Sequence, residues 1–413
     1  MLAFSALLLS ATLAAGPKFI EDDYGKALKT AKAQKKLLFV DAWAPWCHTC
    51  LSMKEQVFTR DAFKAFEKDV VFAAVDTEKA KSAAFLEKFP IEVWPTLLFI
   101  DPQKETVVLK WLGSADEVQM QALLEAARGG QGTLREADDA LAAGNSGIAA
   151  EKYRAAIDAG EVKARTVLSM VSAMTLAKQY EPCTRTTLEQ LPLFTVAADR
   201  VAALTWGLGC ALELPEGKLK SSSLDQLVRE GTKALTLPGV VADDTSGLYE
   251  LLVEERAAAK DDEGTKKLAA QWLAFLDAEA AKAKAPSERA VFDPHRVSAA
   301  LKAGQAEQMI APLLQSEKDF PKDYNPPARL AAIYRELGRT DEALAAIDRA
   351  LGKCKEGPRK LRLFDTKAGL LDKKGDAAGK KKVLGEALKY AKKLPKSQVS
   401  KQRLEALEAA AAK

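Results

Sequence analysis

The chain has 413 residues, 48% hydrophobic and 29% charged, which is the composition of a globular protein of two or three domains and excludes a disordered chain. Lys plus Arg (61) nearly balances Asp plus Glu (57), so bulk charge excludes a chain devoted to nucleic acid. Two histidines, His48 and His295, argue against a histidine-built metal centre, and five cysteines are too few for a disulfide scaffold. The charge is uneven: residues 17–130 carry 16 basic and 17 acidic groups, residues 352–413 carry 18 and 7, and the stretch between is acidic.

Residues 2–13 are apolar or small, with Ala14, Ala15 and Gly16 behind them. This is the length of a signal-peptide core and too short to span a bilayer, so an export signal over 1–16 is expected, although no Lys or Arg precedes the run. The alternative is a buried N-terminal element of a cytoplasmic protein. Next, residues 23–36 read as a helix, 37–40 as a buried strand, 51–66 as a helix kinked near Thr59, and 70–75 as a strand. Residues 81–89 read as a short helix, 96–100 and 106–111 as two strands joined by a tight turn, and 115–127 as a closing helix. Strands alternating with helices imply an α/β domain whose sheet is partly antiparallel. Arg128-Gly129-Gly130-Gln131-Gly132 breaks the last helix and marks a domain boundary.

Beyond the boundary the composition turns to Ala, Leu, Lys and Glu, without strands. Ala137, Ala140, Gly144, Ala149, Tyr153 and Ala156 recur in spacing as Ala331, Tyr334, Gly338, Ala343, Ile347 and Ala350. They recur again as Ala368, Leu371, Gly375, Lys380, Leu384 and Ala387. In this pattern a glycine ends one helix and small residues let two antiparallel helices approach. It resembles the tetratricopeptide repeat. Lys380 stands where a small residue is wanted, so the third copy reads as a terminal cap; 160–325 reads as degenerate helices. Cys183 and Cys210 are either a structural disulfide between adjacent helices or two packed thiols. Cys354 reads as a packed or lightly exposed thiol and His295 as a loop residue. The lysines at 380–382 and 392–393 form a solvated helical face or, alternatively, a contact for an acidic protein or anionic membrane surface.

The chemistry concentrates in Trp46-Cys47-His48-Thr49-Cys50, between an apolar strand and a helix. Two cysteines three apart at a helix N-terminus can bridge within one turn, and the unpaired N–H groups there stabilise a thiolate. Zinc lacks a second ligand pair here, so no metal is expected. The segment from Asp41 to Cys50, with Trp94-Pro95-Thr96 ahead of a strand, resembles the thioredoxin superfamily over about residues 19–128. The continuation Leu51-Ser52-Met53-Lys54-Glu55-Gln56-Val57-Phe58 is most similar to the C-terminal reducing domain of DsbD and its thioredoxin-like relatives.

That resemblance implies a thioredoxin fold over 17–130, with a mixed sheet flanked by helices, followed by an all-α tetratricopeptide-like region over 131–413. It makes Cys47 the nucleophile, Cys50 the resolving thiol and Asp41 the buried carboxylate that takes the proton of Cys50. It places Pro95 in a cis bond beside Cys47, and makes Trp46, His48, Trp94, Pro95 and Thr96 the substrate-contacting residues. The lysine that accompanies the buried carboxylate in thioredoxin corresponds to Phe72. His48 either stabilises the Cys47 thiolate or is an exposed spacer. The expected protein is a thiol:disulfide oxidoreductase of the periplasm or otherwise exported, its direction open but reduction favoured. Its redox group is the Cys47–Cys50 disulfide, with no other cofactor. Its partners would be protein thiols or disulfides, an upstream thiol electron donor or acceptor, and a protein on the helical repeats. The rival readings are a redox-sensing interaction scaffold and a copper metallochaperone.

Overall fold

The computed structural model describes residues 16–412 other than 130, 131 and 162. The expected export signal therefore lies, but for Gly16, outside the described residues, as do Gly130 and Gln131 of the linker. The first domain runs β1 (Phe19–Glu21), α1 (Tyr24–Gln34), β2 (Leu37–Trp43), α2 (His48–Ser52), α3 (Asp61–Lys64), β3 (Val70–Asp76), α4 (Ala83–Lys88), β4 (Thr96–Asp101), β5 (Thr106–Leu112) and α5 (Glu117–Gly129). Its sheet has the order β1-β3-β2-β4-β5. The β1–β3 and β2–β3 pairs are parallel, and β2–β4 and β4–β5 antiparallel. The central strands are mostly apolar and buried, because helices cover both faces; Asp41 in β2 is the exception at their middle. Phe39 lies against Phe19, Phe58, Phe72 and Phe99, a ring cluster that joins four strands to the segment behind the motif.

Three boundaries differ from the sequence reading. β1 is three residues long, too short to show an alternation. The helix expected over 51–66 is not one helix: α2 passes into a π turn over Met53–Val57, closed by the Phe58 N–H on the Met53 carbonyl (2.8 Å), and the chain is extended at Arg60. The wider turn leaves Met53, Val57 and Phe58 all buried, including the neighbours Val57 and Phe58. The closing helix starts at Glu117 because Asp116 and Gln119 cap it reciprocally, side chain to backbone N–H in both directions (2.8 and 3.0 Å).

The second region is helical throughout the described residues. It contains α6 (Gly132–Ala142), α7 (Ser146–Asp158), α8 (Ala164–Leu176), α9 (Tyr180–Gln190), α10 (Ala197–Leu212), α11 (Lys218–Ala234), α12 (Ala242–Ala258) and α13 (Asp262–Ala281). It continues with α14 (Pro286–Ala290), α15 (Asp293–Ala303), α16 (Ile310–Asp319), α17 (Asn325–Glu336), α18 (Thr340–Lys353), α19 (Arg359–Lys374), α20 (Ala377–Ala391) and α21 (Lys401–Ala412). The three sequence copies are the hairpins α6–α7, α17–α18 and α19–α20. Each turns on its glycine, with φ of +78°, +72° and +79° at Gly144, Gly338 and Gly375. Ala149, Ala156, Ala343, Ala350 and Ala387 are fully buried where the paired helices approach. The third copy does not end the array: α21 packs on α20, and Lys380 pairs with Asp372 (2.8 Å) instead of entering the core. Part of the basic end is likewise paired internally, as in Lys392–Glu408 (2.8 Å). No described helix is long and apolar enough to cross a membrane.

The break in sequence at 130–131 is not a break in packing. One apolar core runs from Phe39, Met120 and Leu123 through Tyr153 and Val167 to Leu252, with α6 and α8 against β5. The later helices then return to the opposite side of the first domain. Cys183 on α9 and Cys210 on α10 are bonded (S–S 2.08 Å), and the Thr175 hydroxyl lies 3.1 Å from the Cys210 sulfur. Because this bond closes a loop of intermediate length, the Cys183→Ala/Cys210→Ala variant is expected to lose roughly 2–4 kcal/mol of stability by denaturant titration. An unchanged midpoint would make the bond structurally idle.

Candidate active site

β2 delivers the motif. The chain leaves the sheet at Trp43, turns through Ala44 (whose carbonyl accepts the Cys47 N–H, 3.0 Å), and places Cys47 as the N-cap of α2. The Cys47 sulfur accepts the Cys50 N–H (3.0 Å), the position in which a thiolate would be held by the helix terminus. Cys47 and Cys50 are bonded (S–S 2.04 Å) and only 4% and 0% exposed. The Trp94–Pro95 peptide is cis, and the Pro95 carbonyl accepts the Gly113 N–H (2.9 Å).

Asp41 lies in β2, fully buried, and neither carboxylate oxygen has a hydrogen-bond partner. Burial pushes its carboxyl up to about 7; the nearby Lys54 ammonium works against this and Glu21 adds to it. Lys54 sits 3.3 Å above the Trp43 ring and 3.8 Å from Glu21, on the π turn behind the motif. Phe72 is packed against Phe39, so a cation near the buried carboxylate comes from the helical segment and not from the neighbouring strand.

The helical array closes over this face. The Asn325 side chain donates to the Pro45 carbonyl (3.1 Å). Glu78 accepts from the Trp46 indole (2.7 Å) with one oxygen and from the Arg359 N–H (2.8 Å) with the other. The Arg359 guanidinium lies 5.1 Å from the Trp46 ring centre. Gln398 donates to the carbonyls of Thr77 (2.9 Å) and Lys79 (3.0 Å). Between the two regions remains a cleft of about 720 Å³ lined by Trp46, Glu78, Trp94, Arg359, Arg362 and Gln398, among others.

The sequence-derived residues thus meet unequally. Cys47, Cys50, Trp46 and Trp94 form one cluster. The Thr96 side chain is buried, and its hydroxyl donates to the Val93 carbonyl (2.7 Å). The Trp94 indole donates to Thr77 (2.9 Å). His48 is neither a free spacer nor turned to the Cys47 sulfur; its Nδ1 is 3.0 Å from Asp243 on α12. His295 is not a loop residue but a buried member of α15, its Nε2 2.9 Å from that of His48. Glu78, Asp243 and Arg359 carried no local signal, since each meets its partner only far along the chain. Lys54 was visible as a charge within an apolar helix.

The raised Asp41 carboxyl has a definite linkage. In the folded state it keeps its proton up to about pH 7, while in the unfolded chain it ionises near the ordinary value of 3.8, so its contribution to stability falls between those two pH values. Asp41→Asn is therefore expected to stabilise the protein at pH 8 by roughly 1–4 kcal/mol and to do nothing at pH 3. The same variant is expected to slow disulfide turnover by about 100-fold through loss of the proton acceptor. Denaturant titrations at both pH values check the first, and single-turnover kinetics the second.

Residues 24–128 match the family model described as a thioredoxin-like domain. The chain is 37% identical over 89 residues to thioredoxin H3 of Arabidopsis thaliana, covering 21% of this chain and 71% of that one. It is 32% identical over 88 residues to the thiol:disulfide interchange protein DsbD of Pseudoalteromonas atlantica, covering 21% of this chain but only 15% of that protein. Among solved structures, a tetratricopeptide repeat protein from Parabacteroides merdae superposes with a TM-score of 0.45 at 10% identity, over 68% of this chain and 98% of that one. Through its N-terminal domain, fused to a helical repeat region, the chain belongs to the thioredoxin family.

Proposed function

We propose that the protein is an exported thiol:disulfide oxidoreductase that reduces protein disulfides through Cys47 and Cys50, with the helical array holding a client or partner and governing access to the site. The observation that carries this is a vicinal cysteine pair capping a helix N-terminus, in a fold where a buried carboxylate, Asp41, lacks any hydrogen-bond partner. In the reduced protein the Cys47 thiolate attacks a substrate disulfide, forming a mixed disulfide and releasing one substrate thiolate. Cys50 gives its proton to the Asp41 carboxylate and attacks the Cys47 sulfur. The second substrate thiolate leaves, and the Cys47–Cys50 bond forms. Two electrons have passed to the substrate, and an upstream thiol donor must return them. Export is supported by the apolar run over 2–13 and by the Cys183–Cys210 bond, a type found in oxidising compartments.

A second reading, a redox-sensing scaffold, is favoured by one observation: Cys47 is 4% exposed beneath the array. Turnover separates the two. Cys47→Ser is expected to abolish reduction of insulin by the full chain supplied with dithiothreitol; undiminished reduction would end the enzyme reading. Access is tested independently. Glu78→Ala removes the hydrogen bond from the Arg359 N–H that crosses the closed face, and a loss of about 1–2 kcal/mol there would raise the alkylation rate of Cys47 in the reduced protein roughly tenfold. An unchanged rate would show that the array does not limit access.

A further inference from the structure

The chain's only two histidines are 247 positions apart, yet their Nε2 atoms lie 2.9 Å from one another at the junction of the redox domain and the array. The rings are tilted by 53° with centroids only 3.8 Å apart. A linear N–H···N bond in the plane of both rings would hold the centroids ~5 Å apart. The rings are instead tilted together, and one ligand atom each of His48, His295 and Asp243 lies within 4.8 Å of the other two, a spacing that a single ion could bridge.

The other ring nitrogens are already engaged. His48 Nδ1 meets the Asp243 carboxylate at 3.0 Å. His295 Nδ1 meets the Ser246 hydroxyl, which itself accepts the Trp272 indole N–H (2.7 Å). This is the outer-shell pattern that orients metal-binding imidazoles. A second carboxylate stands beside them: a Glu250 oxygen is 3.9 Å from His295 Nε2, on a partly exposed side chain free to turn toward an ion there. Asp243, Ser246 and Glu250 fall at i, i+3 and i+7 on α12, one face of one helix. His295 and Asp243 are buried, whereas the Glu250 side chain is 40% exposed and opens a route inward. The charges favour a cation, with two carboxylates against two imidazoles. The opposing cations whose fields reach the cluster are Arg329, which also faces Asp293, and Lys302, beside Glu250.

We propose that His48, His295 and Glu250, supported by Asp243 and Ser246, bind a borderline divalent ion of the Zn²⁺ type. Three protein ligands and one water complete a tetrahedral site. In such a site two imidazole nitrogens sit ~3.3 Å apart, a few tenths of an ångström beyond their present spacing. Imidazole with carboxylate selects Zn²⁺ and its neighbours over Mg²⁺ and over thiophilic Cu(I). Because His48 lies between the redox cysteines, the ion would tie the motif to α12 and α15.

The test uses tag-free, chelator-stripped, oxidised full-length protein, so that the thiols of the Cys47–Cys50 and Cys183–Cys210 pairs cannot compete. Titration with Co²⁺ is expected to show one equivalent bound, with visible d–d absorption and no thiolate charge-transfer band. Zn²⁺ is expected to displace it and to raise the melting temperature. His48→Gln should abolish binding. Glu250→Gln, which alters only a partly exposed carboxylate, should weaken it by roughly tenfold or more while leaving the circular dichroism unchanged. Absence of stoichiometric binding, a thiolate band, or equal affinity in the Glu250→Gln variant would each overturn the proposal, whether or not the histidine variant folds.

Discussion

The arrangement of this protein turns on Glu78. One carboxylate oxygen accepts a hydrogen bond from the indole N–H of Trp46, the residue that abuts the redox cysteines, and the other accepts one from the backbone N–H of Arg359, at the start of α19. Burial alone would make such a carboxylate costly, pushing its proton affinity up, and these two donors offset that cost. The same side chain thereby joins the active-site turn to a helix 281 positions later in the chain. Asn325 on Pro45 and Gln398 on Thr77 and Lys79 reinforce the join from neighbouring elements. The helical array consequently begins by sharing a core with β5 and α5 and ends by covering the face from which the cysteines act.

This closure gives the chemistry its particular setting. A thiolate at Cys47 would be stabilised by the start of α2, as in any helix-capping cysteine, but it would form in a nearly dry space. Asp41, without a single donor, has its proton affinity set by burial against the field of Lys54. His48, which could have tuned the Cys47 sulfur directly, is drawn instead into a cluster with Asp243 and His295. The residue between the cysteines therefore reports on the array as much as on the redox pair.

What was legible in the sequence was whatever is local. Cys47 and Cys50 three apart, Asp41 upstream and Trp94-Pro95 before a strand announce the redox domain because each depends on neighbours within a few residues. Gly144, Gly338 and Gly375 announce helix hairpins for the same reason, since each needs a left-handed backbone at a fixed offset from small residues. The π turn at Met53–Val57 was hidden because apolar spacing alone reads as a kinked α-helix. Two histidines seemed too few for a histidine-built metal centre, yet α12 and α15 bring His295 onto His48. Glu78, Asp243 and Arg359 look like ordinary surface charges until the array folds back.

The central claim is that the array stays closed over the redox face in solution. Site-resolved hydrogen exchange on the oxidised full chain tests it most directly at the amides of Ala80 and Arg359. Each donates across the junction, Ala80 to Glu356 (3.0 Å) and Arg359 to Glu78 (2.8 Å). Protection of both amides by factors well above those of exposed turns is the predicted result. Exchange of both at the rate of an unstructured chain would contradict it.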